Sequence, residues 1–374
     1  MKNHGEPNEP EPADSLAAER LAKAIDQHTV EGTLFRSEAG KLRCLACGHR
    51  CLLAPGRRGV CQVRFNRDGK LMVPFGYVAG AQCDPVEKKP FFHLLPGSRA
   101  MTFGMIGCNF HCAYCQNWIS SQALRDELSS PRFQVASARH LVEIACQQSA
   151  RLMISSYNEP LITVEWAAAI FRHAREQGLL CGLVSNGHAT PEVLEYLRPW
   201  IAALKIDLKS MNADSYRTLG GKLEHVIDTI RLASQMGIWL EVVTLLVPGF
   251  NDGHEELRRI ADFLASVSVD LPWHVTAFHP DYQMTQGAPT RSEDVLRTVA
   301  LGKTAGLRYV YAGNLPGNVG AWENTVCPYC QNLLVERRGF RILFNQLSPD
   351  GSCPKCKAKI PGIWNPKQEE QFAG

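Results

Sequence analysis

Between residues 100 and 313 short apolar runs alternate with longer amphipathic ones, and this alternation limits the fold more than any other property of the chain. The runs AMTFGMI (100–106), RLMISSY (151–157), LCGLVSN (180–186), AALKIDL (202–208), WLEVVTLLV (239–247) and WHVTAF (273–278) read as strands, and RYVYAG (308–313) extends the set. Between them, residues 137–149, 163–177, 223–236, 254–266 and 292–305 carry apolar residues at helical spacing. Such alternation places parallel strands beside one another with helical crossovers, in a doubly wound sheet or a (β/α) barrel. Six strand–helix units are fewer than the eight of a closed barrel. The expected fold is therefore α/β, a partial barrel.

The C-terminal tips of these runs are polar. Cys108 follows the first, Asn158 and Glu159 the second, Ser185 and Asn186 the third, and Asp207 with Lys209 the fourth. The fifth ends in Pro248, Gly249 and Asn251, and the sixth in His279 and Asp281, which could face a substrate or cap the strand. That edge of a parallel sheet is where ligands and catalytic groups collect. Loops are polar in any protein, but an acid set inside an apolar run, as in LKIDLKS, is not explained by loop polarity.

The 374 residues include 14 cysteines, grouped as four within 44–61, three within 108–115 and four within 327–356, with Cys83, Cys146 and Cys181 isolated. The first residues, MKNHGEPNEPEPADS, contain no apolar core of a signal peptide, which points to a cytoplasmic protein. In a reducing compartment, clustered cysteines are metal ligands or catalytic groups rather than disulfides. No stretch approaches the ~20 apolar residues that span a bilayer. A formal net charge of +3 is too small to argue for nucleic acid or an anionic membrane as partner.

Cys108, Cys112 and Cys115 fall at i, i+4 and i+7, which is also the spacing of a helical core stripe. Asn109, Gln116 and Asn117 interrupt any helical pattern there, and Phe110, Tyr114 and Trp118 supply an apolar wall. Three thiolates do not close a tetrahedral zinc site. They can hold a cubane iron–sulfur cluster that keeps one iron open. Cys44, Cys47, Cys51 and Cys61, with His49 among them, suffice for zinc or an accessory iron–sulfur cluster, with free structural thiols as the plain alternative. Near the C-terminus, CPYC and CPKC (Cys327, Cys330, Cys353, Cys356) flank the hairpin pattern LLVERRGFRILF, as in a zinc ribbon, with zinc preferred to a single iron. Residues 327–359 hold six basic and two acidic side chains, a solvated face or a site for an acidic partner.

With these features in place, residues 44–318 resemble a known family. The stretch GCNFHCAYCQNW carries the CxxxCxxC signature of the radical SAM superfamily. The stretches CLACGHRCLLAPGRRGVCQVRFNRDGKL, DPVEKKPFFHLLPGS, SYNEP, VSNG, KIDLKS, LLVPGFND, WHVTAFHPDY and YVYAGN resemble the radical SAM enzyme of the AmmeMemoRadiSam system, a relative of pyruvate formate-lyase activating enzymes.

The resemblance implies a partial (β/α)6 TIM-type barrel with a small Cys-rich N-terminal segment, and the zinc ribbon read from CPYC and CPKC is a C-terminal module added to it. It implies a [4Fe-4S] cluster on Cys108, Cys112 and Cys115, with S-adenosylmethionine on the fourth iron. Reductive cleavage of that cofactor would give a 5′-deoxyadenosyl radical that abstracts hydrogen from a protein or small-molecule substrate. Glu159 falls where the family uses a Gly-Gly-Glu motif for the methionine amino group, with Tyr157 and Asn158 in place of the glycines. Asp207 and Lys209 match the pair expected at the ribose and carboxylate, and Ser185 and Asn186 would line the cofactor pocket. Implied partners are an electron donor such as flavodoxin or ferredoxin, Memo-like and AMMECR-type proteins, or a glycyl-radical enzyme. The competing class is a zinc-ribbon metalloprotein that binds RNA or a protein partner without radical catalysis. The expected division is a disordered tail (1–13), an N-terminal helix and Cys-rich segment (14–82, the helix at 14–27 capped by Asp14 or Ser15), a core (83–320), a ribbon-like module (321–362) and a tail (363–374).

Overall fold

Apolar runs of this kind bury both faces of a sheet, and in the computed structural model, which describes residues 15–365, they form its centre. The expected 1–13 tail, the alternative cap Asp14 and residues 366–374 lie outside the described residues. Eight strands make the main sheet: β1 (Gly80–Pro85), β2 (Arg99–Gly104), β3 (Ala150–Ser155), β4 (Leu180–Ser185), β5 (Ala203–Asp207), β6 (Trp239–Leu246), β7 (Trp273–Ala277) and β8 (Val310–Gly313). Their order in space is their order in the chain, with β1 antiparallel to β2 and the rest parallel. A doubly wound sheet reverses its strand order at a switch point. This sheet has no reversal, so the doubly wound alternative falls.

Apart from the N-terminal helix α1 (Ser15–Asp26), the main helices are crossovers between consecutive parallel strands. They are α2 (Ala138–Gln147), α3 (Val164–Glu176), α4 (Pro191–Leu197), α5 (Leu223–Gln235), α6 (His254–Val267) and α7 (Ser292–Thr304). Their ends follow local chemistry: the Ser137 hydroxyl accepts from the His140 N–H to cap α2, and Thr190 with Pro191 opens α4. Among the main-sheet strands and the main helices, α4 and β1 are the two that the hydrophobic pattern does not announce. β1 also straddles the expected boundary at residue 82 and belongs to the main sheet. No helix among the described residues is long and apolar enough to cross a membrane.

The two faces of the sheet are filled differently. Met101, Phe103, Met153, Leu183, Leu204 and Val242 point toward the helices. Ala100, Leu152, Ile154, Leu180 and Trp239 point the other way, where Val86, Phe91, Leu94 and Leu95 pack on them. Residues 86–95 thus run across the helix-free face. Ile363 joins them, buried, although it begins the expected C-terminal tail. Its N–H donates to the His93 carbonyl at 2.8 Å, and its own carbonyl accepts from Leu95 N–H at 2.7 Å.

Flanking modules are tied on by buried polar groups. In the N-terminal segment Thr29–Glu31, Phe65–Arg67 and Lys70–Pro74 form one small sheet, and Phe35–Glu38, Lys41–Cys44 and Leu52–Leu53 another. Arg64, just before the Phe65–Arg67 strand, is buried and makes a bidentate pair with Glu165 of α3, at 2.6 and 2.8 Å. At the C-terminus Thr325–Val326, β9 (Leu333–Arg338) and β10 (Arg341–Asn345) form an antiparallel sheet. Its Arg337 is buried and donates to the Phe92 carbonyl and Thr325 hydroxyl, each at 2.8 Å.

His93 links the core to the C-terminal strand end. Its Nδ1–H donates to the Pro361 carbonyl at 2.6 Å, so Nε2 accepts from the Tyr311 hydroxyl at 2.6 Å. Burial lowers its pKa from 6.5 to about 4, with Glu241 opposing. The unfolded chain therefore takes up this proton first as pH falls, and stability is lost from about pH 6.5 down to about pH 4. His93→Phe keeps an aromatic ring but cannot titrate. Between about pH 7 and about pH 5 this variant should lose roughly 2 kcal/mol less stability in chemical denaturation than the wild type. Equal losses would refute the assignment.

Candidate active site and metal centres

Beyond β2 the chain turns at Gly107, whose φ is +99°. A Cβ there would stand 2.9 Å from Val63 Cγ1 and 3.1 Å from the Cys61 carbonyl oxygen. The cysteine loop is thus pressed onto the N-terminal Cys-rich segment, and only glycine combines that φ with that clearance. Residues 107–117 contain no helix, so the helical-stripe alternative for Cys108, Cys112 and Cys115 falls. Gly107 N–H donates to the Ser120 carbonyl at 3.0 Å and closes the loop.

Cys112 is buried, and Cys108 and Cys115 are half-buried. Burial pushes the Cys112 thiol up to about 11, with Lys209 opposing and Cys115 adding to the rise. Burial also raises Cys108, aided by Glu159 and Cys112. Cys108 and Cys112 share a dry surrounding that disfavours their thiolates, a condition that a bound cationic centre relieves. A cubane binds each cysteine through a different iron, so its ligands stand wider apart than those of a single ion. Cys112 and Cys115 both act on Cys108, so the three are neighbours, and among the described residues they do not form the tight set of a single ion. Phe110 and Tyr114 are buried beside them, and Trp118 stacks on Tyr282 with ring centroids 5.1 Å apart.

The loop after β7 closes over this one. Gln283 N–H donates to the Ala113 carbonyl at 3.0 Å, and the Gln116 amide donates to His279 Nε2 at 2.7 Å. His279 therefore belongs to the site. The Asp281 carboxylate accepts from Tyr282 N–H in its own turn.

After β3, Glu159 is buried and its carboxylate accepts from Ser185 Oγ at 2.7 Å, Leu161 N–H at 3.1 Å and Asn186 N–H at 2.8 Å. Burial outweighs these bonds and raises its pKa to about 7. Asn158 accepts from Met105 N–H and braces β2 against β3. Tyr157, where the family motif has glycine, adopts the glycine-like φ of +70°. Asn186 donates to Asn109 Oδ1 at 2.7 Å, which joins the tip of β4 to the cysteine loop.

At the tip of β5, Asp207 binds two ammoniums, Lys205 at 2.8 Å and Lys209 at 3.2 Å. Burial would raise its carboxyl, but Lys205 and Lys209 hold it down at about 2. The Lys205 and Lys209 side chains are only 5% and 15% exposed, so this is no surface ion pair. Asn251 donates to the Lys209 carbonyl at 2.8 Å and fixes that backbone.

These tips border a cavity of about 370 Å³. Asp207, Lys209 and Tyr157 line it, as do three residues that sequence reasoning did not single out: Lys89, Lys205 and Phe340. Phe340 comes from the turn between β9 and β10, so the C-terminal module forms part of the wall.

The outer cysteines differ from each other. Among the described residues, the ligand atoms of Cys327, Cys330, Cys353 and Cys356 all lie within 4.8 Å of one another, the arrangement of a single tetrahedral ion. Cys44, Cys47 and Cys61 are buried and Cys51 half-buried, without forming such a tight set. They remain neighbours: burial raises Cys47, and Cys44, Cys61 and Cys51 raise it further. His49 packs on His188 at 4.7 Å between centroids and lies 3.1 Å from the Asn109 carbonyl through Nε2. In the basic stretch 327–359, Arg337 is buried and Lys359 pairs with Asp350, which thins the exposed positive face.

A family model described as the radical SAM superfamily matches residues 104–264. An uncharacterized protein of Methanocaldococcus jannaschii is 37% identical over 324 residues, which is 86% of this chain and 95% of that protein. An alignment of that length extends past residues 104–264 on both sides. The pyruvate formate-lyase-activating enzyme of Staphylococcus aureus is 26% identical over 244 residues, 59% of this chain and 92% of that one. Among solved structures, a domain of pyruvate-formate lyase-activating enzyme from Bacteroides vulgatus shares 22% identity, covering 42% of this chain and 94% of its own. Its TM-score of 0.36 is too low to carry an argument.

The wedge at Gly107 has a controlled test. Gly249 also has positive φ, +74°, but a Cβ there meets open space. Gly107→Ala should therefore destabilise the protein by about 1–3 kcal/mol more than Gly249→Ala in denaturant titration. Equal costs would mean that the cysteine loop is not held against Val63 and Cys61.

Proposed function

The chain belongs to the radical SAM superfamily, and from that premise we propose that Cys108, Cys112 and Cys115 hold a [4Fe-4S] cluster that binds S-adenosylmethionine. The consecutive sheet would then be the partial (β/α)6 barrel of such enzymes. Together the cluster and S-adenosylmethionine would supply one-electron cleavage of the sulfonium, and with it a 5′-deoxyadenosyl radical able to take hydrogen from a protein or small-molecule substrate. One observation carries the reading: Glu159, Ser185, Asn186, Asp207 and Lys209 lie at the same strand-tip edge as the three cysteines, the first three linked to their loop through Asn109 and Lys209 acting on Cys112.

Each residue then has a task. Glu159 accepts from the methionine ammonium, and Ser185 and Asn186 orient its carboxylate. Asp207 takes the ribose hydroxyls and Lys209 the cofactor carboxylate. Phe110, Tyr114 and Trp118 keep water from the cysteine loop. The electron would come from a flavodoxin or ferredoxin in the cytoplasm. The activating-enzyme relatives make a glycyl-radical enzyme one candidate substrate. Memo-like and AMMECR-type proteins are further candidate partners. The C-terminal cysteines would hold zinc, and Cys44, Cys47, Cys51 and Cys61 zinc or an accessory cluster.

Anaerobic reconstitution with iron and sulfide, followed by dithionite and S-adenosylmethionine, should yield 5′-deoxyadenosine by liquid chromatography. Cys112→Ala should abolish it, and unchanged production in that variant would end the enzymatic reading. Glu159→Gln should weaken S-adenosylmethionine binding by about tenfold, since a charge-assisted bond to the ammonium is lost. Cys353→Ser should lose one metal ion per chain by elemental analysis while the cluster absorbance persists.

A further inference from the structure

The cavity carries more positive charge than S-adenosylmethionine calls for. Lys88, Lys89, Lys205 and Lys209 line it, against Asp207 as the one lining carboxylate. Asp84 stands behind, 3.1 Å from Lys88 and 3.6 Å from Lys89. S-adenosylmethionine brings an ammonium, a sulfonium and one carboxylate, so its arrival increases the positive excess. Lys209 acts on Cys112 and so serves the cluster end. Lys88 and Lys89 share Asp84, and Lys205 and Lys209 share Asp207, so four ammoniums face two carboxylates and the excess stays positive.

Lys89 is the best placed of them. Its side chain is 6% exposed, its Nζ donates to the Tyr157 hydroxyl at 3.3 Å, and it lies 4.7 Å from that ring's centroid. Burial lowers its pKa to about 8 despite Asp84, and Lys88 and Lys205 lower it further. Ammoniums that repel one another in a partly dry cavity are stabilised by an anion between them. Val243, Leu245 and Phe340 give the wall an apolar stretch, set among polar groups such as Ser156, Thr276 and Asn314.

We propose that this cavity takes a small organic anion, a carboxylate or phosphate on an apolar skeleton, as the substrate. Lys89 and Lys205 bind its charge and Phe340 packs on its skeleton. This rests on the radical reading above and narrows it to a small molecule.

Calorimetric titration of the reconstituted protein with benzoate, phenyl phosphate and neutral benzamide tests the assignment. Saturable binding of either anion, without benzamide, supports it, and the preferred anion distinguishes carboxylate from phosphate. Lys89→Met should weaken that binding by about tenfold. Lys89→Arg, which keeps the charge, should retain most of it, as should the exposed control Lys70→Met. Equal affinity for benzamide, an unaffected Lys89→Met, or preference for a polyglutamate peptide over both small anions would overturn the proposal. If neither anion binds while the same preparation makes 5′-deoxyadenosine, the anion site alone is refuted. If an anion binds but no 5′-deoxyadenosine forms, the anion site stands and the radical reading fails.

Discussion

A carboxylate with no access to water, Glu241, organises the helix-free face of the sheet. It lies on β6 and accepts from the N–H groups of Phe92 and His93 at 2.9 Å each, from Trp239 Nε1 at 3.1 Å and from His274 Nε2 at 2.7 Å. A buried charge without donors is prohibitively unfavourable. Burial alone would raise this carboxyl, yet His274 and the other donors hold it below the usual carboxylate range. Satisfying it dictates where residues 92 and 93 must run, and therefore where Lys88 and Lys89, a few residues earlier, enter the cavity. The floor of the site and the position of its cations share one electrostatic origin.

The active edge shows the opposite balance. Cys108, Cys112 and Glu159 all sit where burial disfavours their charged forms. In the bare protein these groups oppose the compact state, whereas a bound cationic cluster and an ammonium ligand would favour their ionised forms. Cofactor binding and folding are then linked, since whatever binds only the folded form stabilises it. The hydrogen bonds from Ser185, Asn186 and Leu161 to Glu159 prepare the acceptor before any ligand arrives.

How much of this was legible depended on whether the signal was local. The apolar runs gave six of the seven parallel strands firmly, because continuous Val, Ile and Leu leave few alternatives, and RYVYAG supplied the seventh. The cysteine spacings were equally visible. α4 escaped because seven residues show less than two helical repeats, and β1 because GAQCDP has neither alternation nor an apolar run. No period marks residues 86–95, whose place on the sheet follows from the Glu241 donors rather than from their own pattern. Lys205 was hidden inside LKIDLKS, since only the tertiary fold shows that it shares Asp207 with Lys209. Tyr157 looked like a departure from a glycine motif, yet its backbone takes the glycine conformation.

Phe340 and Ile363 carry a consequence for how the protein can be divided. Both come from beyond residue 320, yet one lines the cavity and the other is sealed under residues 94 and 95. Linear modularity and spatial modularity therefore disagree in this chain. A fragment cut to the main sheet and its helices would be an unroofed vessel with a leaking base, and what looks like an appendix in the sequence is masonry in the folded chain.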